Sequence, residues 1–207
     1  MAVVKPFNPP LAAPPTKRSR GGTQPVALSR DDVVAAALAE VAEHGLDALS
    51  VSAVAARLGV TVPAVYHYVT GKNDLVNRVC ERVAHNVELP VDETADTRLS
   101  WDDRIVAIVM AMDATFARYP GVAARVLPFR QPSNAVNRLS GAVLDCLADG
   151  GFDSPTATDV LATLHFIVGG WLLGQRPNLP SGEMIPALLE RSIRWTLAGA
   201  AQTSPGR

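Results

Sequence analysis

The sequence predicts an all-α protein of about nine helices, with a three-helix head and a connecting helix followed by a larger helical body. Three features carry that prediction. Apolar residues recur at the three- and four-residue spacing of amphipathic helices through most of the chain, and no strand-like alternation competes. Hydroxyl and acidic residues stand where helices would start, and glycine or proline where they would stop. Between Ser50 and Tyr68, two short helical patterns are joined by a tight turn at Gly59, the spacing of a helix-turn-helix.

In residues 1–27, Pro6, Pro9, Pro10, Pro14, Pro15 and Pro25, with Gly21 and Gly22, leave too little apolar surface to order the stretch, which holds Lys5, Lys17, Arg18 and Arg20 but no acid. It reads as a disordered basic arm, either simply solvated or reaching along a phosphate backbone with Lys17-Arg18-Ser19-Arg20 as its tip. The head is expected over 28–89. Ser29 with Asp32 makes a capping box for a first helix carrying Val33, Val34, Ala37, Leu38, Val41 and Ala42 inward, and Gly45 stops it. Ser50 caps a second helix, Val51–Leu58. Thr61 caps a third, with Pro63 in the first turn, where a missing N–H removes no bond. Lys72 opens a fourth, with Leu75, Val76, Val79, Val83 and Val87 on one face and Pro90 as its stop. The body, 90–207, is expected to hold helices over Trp101–Tyr119, Val122–Leu127, Asn134–Ala148, Pro155–Leu173 and Glu183–Ala200.

Composition excludes several function classes. With 19 Lys+Arg against 20 Asp+Glu among 207 residues, bulk charge names no polyanionic partner, so any nucleic-acid site must be local. Residues 1–90 hold nine basic and eight acidic side chains and residues 91–207 ten and twelve, a weak polarity in the direction a DNA-facing head needs. Cys80 and Cys146 lie far apart with no CxxC or His/Cys cluster, which argues against a disulfide scaffold and a structural zinc site. No metal or cofactor is expected. The most apolar run, Leu164–Gly174, has 11 residues, too short to cross a bilayer, and the N-terminus has no apolar signal region, so a cytoplasmic protein without membrane contact is expected. No Ser/His/Asp order, HExxH or glycine-rich phosphate loop is present, and no catalytic residue is expected.

The helix-turn-helix needs a small residue where its helices cross, supplied by Ala55, and a buried angle, supplied by Val54, Leu58, Val60 and Val65. The outward face of its second helix must let backbone approach a groove. Thr61, Val62, Ala64, Tyr66 and His67 meet that need, with a phenol and an imidazole for phosphate or base edges. Lys72, at the start of the next helix, can clamp a phosphate together with free N–H groups, and its charge there opposes the helix dipole unless an anion neutralises it. A small packing domain using the same Ala and Gly positions is the alternative.

Ala48-Leu49-Ser50-Val51, Val54-Ala55, Leu58-Gly59-Val60, Pro63-Ala64-Val65-Tyr66-His67-Tyr68-Val69 and Lys72-Asn73-Asp74-Leu75 together resemble the DNA-binding domain of TetR-family transcriptional regulators. The likeness spans Ser29 to Glu88, and its many spaced matches are far more specific than a lone helix-turn-helix. It implies a bacterial regulator with DNA contacts at Ser50, Val51, Ser52, Thr61, Val62, Pro63, Tyr66, His67 and Lys72. Ser52 stands where relatives often have Arg or Lys, and Val51 where Thr is common, so contacts are lost at both.

The resemblance further implies a ligand-binding and dimerisation body. Trp101-Asp102-Asp103-Arg104 and Tyr119-Pro120-Gly121 look like the tetracycline-repressor-like subgroup. Two recognition helices must reach successive major grooves, so a homodimer is expected through the last two long helices of each chain, with Ala157, Val160, Leu161, Leu164, Val168 and Leu172 as one apolar stripe and Ile185, Leu188, Leu189, Ile193, Trp195 and Leu197 as the other, some of these belonging instead to a core within one chain. Polar or bulky residues on inward faces mark a small-molecule site: His85, Asn86, Met112, Phe116, Phe129, Arg130, Asn134, His165, Phe166 and Trp171. The expected function is a homodimeric repressor released from double-stranded operator DNA by an unidentified effector. The alternative is a DNA-binding protein without such an effector, governed by a protein partner or acting as an activator.

Overall fold

The structure, a computed structural model, describes residues 28–90, 99–127, 134–174 and 184–203. Among these it contains α1 (Arg30–His44), α2 (Val51–Leu58), α3 (Val62–Tyr66), α4 (Lys72–His85), α5 (Trp101–Ala117), α6 (Val122–Val126), α7 (Asn134–Asp149), α8 (Ser154–Leu173) and α9 (Met184–Thr203), and no strand. The basic arm, Phe129, Arg130 and the expected α9 start at Glu183 lie outside the described residues.

Local chemistry accounts for the helix ends. The Ser29 hydroxyl accepts from the Asp32 N–H at 3.1 Å while the Asp32 carboxylate accepts the Ser29 N–H at 2.9 Å, the reciprocal pair of a capping box. Ser50 caps α2 through the Ala53 N–H, Ser100 caps α5 through Asp103, and Asp153 caps α8 through Thr156. Two helices stop earlier than the apolar stripe suggests. α4 ends at His85 and α5 at Ala117, each with a prolyl residue, Pro90 or Pro120, a few positions on that a continued helix could not accommodate. Val87 is nonetheless buried beyond the end of α4.

Gly59 makes the helix-turn-helix turn at φ 66° and ψ 32°, a left-handed conformation that lets its N–H reach the carbonyls of Ala55 and Ala56. Val33, Ala37, Val41, Val54, Val65, Leu75, Val79 and Val83 close a core among α1–α4. That core does not end at residue 89, because Phe116, Val122, Ala135 and Leu139 belong to it. At the same junction the Leu46 N–H donates to the Pro120 carbonyl at 2.9 Å. Gly121, at φ 87°, lies so close that a Cβ there would meet Leu46 Cβ at 3.1 Å.

The body packs α5 against α7 and α9, and α8 against α7 and α9, around Ile105, Ile108, Leu147, Leu164, Leu189 and Ile193. Arg194 of α9 bonds Asp103 of α5 at 2.8 Å. The 11-residue apolar run proves to be part of a longer element. α8 has 20 residues, a mean hydropathy of 1.3 and only 22% of its apolar window buried, so by length and composition it could cross a membrane. Ala157, Val160, Leu164 and Val168 face the core, and Phe166 and Leu173 face out.

Replacing Gly59 by alanine should cost about 1 kcal/mol of stability, because nothing crowds the new Cβ and only the left-handed backbone resists it. A urea midpoint unchanged from wild type would show that the turn does not hold that conformation.

Candidate nucleic-acid interface and the cavity behind it

α3 has five residues, too few to be helical alone, and is held by what it buries. Val65 and Val69 are fully inside the head core, and the Tyr68 hydroxyl donates to the Leu28 carbonyl ahead of α1. With those residues turned inward, Thr61, Pro63, Tyr66 and His67 are turned out, Tyr66 with 52% of its surface exposed. Thr61 is the N-cap residue, yet its hydroxyl makes no cap bond and stays available to an outside partner. Val62 is half-buried and packs on the core.

Ser50 and Ser52 lie at the start of α2 with their hydroxyls 3.1 Å apart, and Ser52 is exposed. Val51, also an expected contact, is placed differently from its neighbours. It is 6% exposed and belongs to the head core, because an apolar residue directly after the cap falls on the inner face of α2. Lys72 is exposed at the first position of α4, with its ammonium 3.4 Å from the Asp47 carbonyl and no carboxylate partner among the described residues. Asn73 beside it is exposed too. Six of the nine expected contact residues, Ser52, Thr61, Pro63, Tyr66, His67 and Lys72, are thus exposed from α2 to the start of α4, while Ser50 and Val62 are half-buried.

Ion pairs fix the angle of this surface. Arg57 of α2 bonds Glu40 at 2.5 Å and grips both oxygens of Glu43, locking α2 to α1. The Arg57 bond holds the Glu43 carboxyl below its ordinary value, and the Glu43 and Glu40 bonds raise the Arg57 guanidinium. Burial pushes the Asp74 carboxyl up, but the Thr70 N–H and Arg78 outweigh it and hold it low. Arg82 of α4 reaches Asp31 of α1 at 2.7 Å. Arg57, Arg78 and Arg82 therefore serve the head's own packing, in contrast to Lys72.

Two charged residues join α4 to α7, and neither stood out in the sequence. Glu81 accepts the Ala135 N–H at 3.0 Å at the start of α7, while Arg138 donates to the carbonyls of His85 at 3.0 Å and Val87 at 2.8 Å at the end of α4. An anion meets one helix's positive end and a cation the other's negative end. The contacts join residues more than fifty positions apart, so no local pattern marks them.

α7 is also a wall of a small, partly open pocket of about 50 Å³ that widens toward solvent. α5 contributes Val109, Met112 and Phe116; α6 and its end contribute Val126 and Leu127. α7 gives Val136, Leu139, Ser140 and Val143, and α8 gives Leu161, Leu164, His165 and Val168. Burial lowers the His165 imidazole below its ordinary value. The structure thus brings Met112, Phe116 and His165 together. It does not bring in Phe166, which is 75% exposed, or His85 and Asn86, which face solvent at the end of α4. Asn134 is exposed at the start of α7, and the Trp171 indole donates to Asp113 at 3.0 Å, tying α8 to α5. Among the described residues no group of three or more His, Cys, Asp or Glu side chains gathers as a metal site.

A helix-turn-helix head carried on a helical body is the architecture of a helix-turn-helix DNA-binding regulator. Residues 33–79 match the family described as "Bacterial regulatory proteins, tetR family", so this stretch is a helix-turn-helix domain of the TetR type. It is 31% identical over 150 residues to an HTH-type transcriptional regulator of Saccharopolyspora erythraea, across 72% of this chain and 58% of that protein. The chain thus spans less than two thirds of that relative's length. Its fold is similar to that of the Streptomyces coelicolor TetR family protein ActR in complex with actinorhodin, with a TM-score of 0.70 at 19% identity over 87% of this chain and 98% of that one. It is also similar to BioQ with its double-stranded DNA operator, with a TM-score of 0.67 at 18% identity over 84% and 99%.

The low-lying Glu43 carboxyl gives the α1–α2 clamp a pH signature. Its stabilisation is whole above the unfolded value near 4.5 and is lost as pH falls through the lower folded value. Arg57→Met should therefore melt a few degrees below wild type at neutral pH, with the gap closing in acid. A gap that stays constant from pH 7 to about pH 3 would contradict the clamp.

Proposed function

We propose that the chain is a homodimeric, cytoplasmic transcriptional repressor that reads a palindromic operator with α3 and releases it when a small molecule fills the cavity between α5, α6, α7 and α8. The observation that carries this reading is the presentation of α3. Its apolar residues are spent on the head core, which leaves Thr61, Tyr66 and His67 outward, flanked by Ser52 and Lys72. Such a face suits a major groove, with Lys72 and the α4 N-terminus on a phosphate and the hydroxyls and aromatic tips toward phosphate or base edges.

The homodimer is supported by the outer faces of α8 and α9. Phe166, Leu173, Leu188 and Trp195 are large apolar side chains left in solvent on two helices that pack side by side. A second copy offering the same face would cover them, and twofold pairing would set two α3 helices against one palindrome. That covering also explains why α8 is so apolar while so little of it is buried within one chain.

Release is supported by the path from cavity to head. A molecule seated against Leu139 and Val143 displaces α7, and Glu81 and Arg138 hand the shift to α4, whose first residues bear Lys72 and follow directly on α3. For useful regulation the ligand must favour the displaced state by about 1–3 kcal/mol.

Selection from random duplex DNA should return a palindrome with half-sites centred about one helical turn apart. Lys72→Ala should weaken all sequences alike and lower the salt slope by roughly one, and Tyr66→Ala should cost about tenfold or more. Affinities unmoved by both changes would overturn the assignment of the face. Phe166→Glu should shift the sedimenting species from dimer to monomer, and a dimer undisturbed by Phe166→Glu and Trp195→Glu together would show that the subunits pair elsewhere.

A further inference from the structure

The folded head carries the wrong net charge for a polyanion. Residues 28–90 hold five lysines and arginines against eight aspartates and glutamates, a net of −3. Three of the five cations are bonded to carboxylates, Arg57 to Glu40 and Glu43, Arg78 to Asp74 and Arg82 to Asp31. The cations that turn the balance positive are Lys5, Lys17, Arg18 and Arg20, and residues 1–27, which carry them, contain no acid. Where that stretch joins the head is fixed. The Tyr68 hydroxyl, two positions past the end of α3, donates to the Leu28 carbonyl, and Leu28 packs on the head core. Arg30 stands exposed at the first position of α1. The chain therefore enters the head beside the C-terminal end of the helix that faces the groove. We propose that Lys17, Arg18 and Arg20 form a second DNA-binding element, which lies in the minor groove flanking the major groove read by α3. The inference rests on the reading of α3 as the DNA-facing helix and adds a site outside the helix-turn-helix.

The physical basis is charge and reach. Affinity for a duplex comes chiefly from cations that displace its condensed counterions, and a head of net −3 is repelled by the same field. Adding residues 1–27 brings each head to +1, and three of the four added cations fall within four consecutive positions. Arg20 lies eight residues ahead of Leu28, a span of at most about 28 Å when extended. The flanking minor groove is about half a helical turn, ~17 Å, from the centre of the major groove, so the arginines can reach it. On an extended chain Arg18 and Arg20 point to one side, with only the small Ser19 between them. A narrow, A·T-rich minor groove concentrates the negative potential of both backbones and draws arginine side chains in, whereas the guanine 2-amino group projects into it. The element thus supplies the phosphate neutralisation that Arg57, Arg78 and Arg82, engaged in the head's own packing, do not.

Three duplex polymers test this on the full chain without any operator. Poly(dA-dT) and poly(dI-dC) present the same minor-groove pattern, because inosine lacks the 2-amino group, while poly(dI-dC) shares its major groove with poly(dG-dC). The wild-type chain should bind the first two at least about threefold more tightly than poly(dG-dC). The chain carrying Lys17→Ala, Arg18→Ala and Arg20→Ala together should bind all three alike, with a salt slope lower by roughly two to three per chain. A wild-type chain that does not favour both over poly(dG-dC), or a triple variant that keeps the preference or the slope, would overturn the inference. The wild-type comparison needs no variant to fold. On the palindrome returned by selection, hydroxyl-radical cleavage should show protection of the minor groove just outside each half-site, lost in the triple variant. Protection identical in the two chains would also overturn it. A selection that returns no palindrome while the polymer preference holds would defeat the reading of α3 and leave minor-groove binding by residues 17–20 standing.

Discussion

Everything on the nucleic-acid face depends on the burial of Val65 and Val69. One and a half turns of helix cannot nucleate or persist in water, so α3 exists only because these two side chains are locked among Val33, Leu49, Val54 and Leu75. The same burial decides orientation. Fixing residue 65 inward turns residues 66 and 67 outward, and Gly59 and the Arg57 clamp set the angle at which α2 delivers the chain to that point. Recognition here is a by-product of packing, in that the surface is aimed by what lies beneath it.

The core of the head takes in residues of the body, apart from the body's own core around Ile105, Leu147 and Ile193. Phe116, Ala135 and Leu139 contribute to the packing of α1–α4, and Phe116 and Leu139 also line the cavity. Two walls of the cavity therefore touch the core that aims α3. The Glu81 and Arg138 bonds add direction to that contact, since each ties a helix end to the neighbouring helix. Near its C-terminal end α4 is tied both to α1, through Arg82 and Asp31, and to α7, through Glu81 and Arg138.

Much of this was legible in the sequence because caps, glycine turns and prolines act locally. Ser29 with Asp32, Ser50, Gly59 and Pro63 each specify a boundary from their own chemistry, and α1, α2 and α3 fall close to where those residues place them. What the sequence did not show is orientation. Val51 sits in a stretch whose neighbours face out, and only the helix phase shows that it faces in. Phe166 and Trp171 are bulky residues on an apolar helix, and which side each takes depends on α5 and α9, far away in sequence. Arg138 and Glu81 looked like ordinary surface charges because their partners are a backbone N–H and carbonyls brought together by folding.

In the proposed dimer, two copies of the α3 surface stand at the spacing of successive major grooves. Pulsed electron paramagnetic resonance on spin-labelled Asn73→Cys dimers measures this directly, since Asn73 is exposed beside Lys72 while Cys80 and Cys146 are buried. The account predicts one narrow distance consistent with α3 helices about 34–36 Å apart, unchanged or sharpened by operator DNA. A distance placing the two heads on opposite sides of the dimer, or no dipolar signal because the chains do not pair, would contradict it.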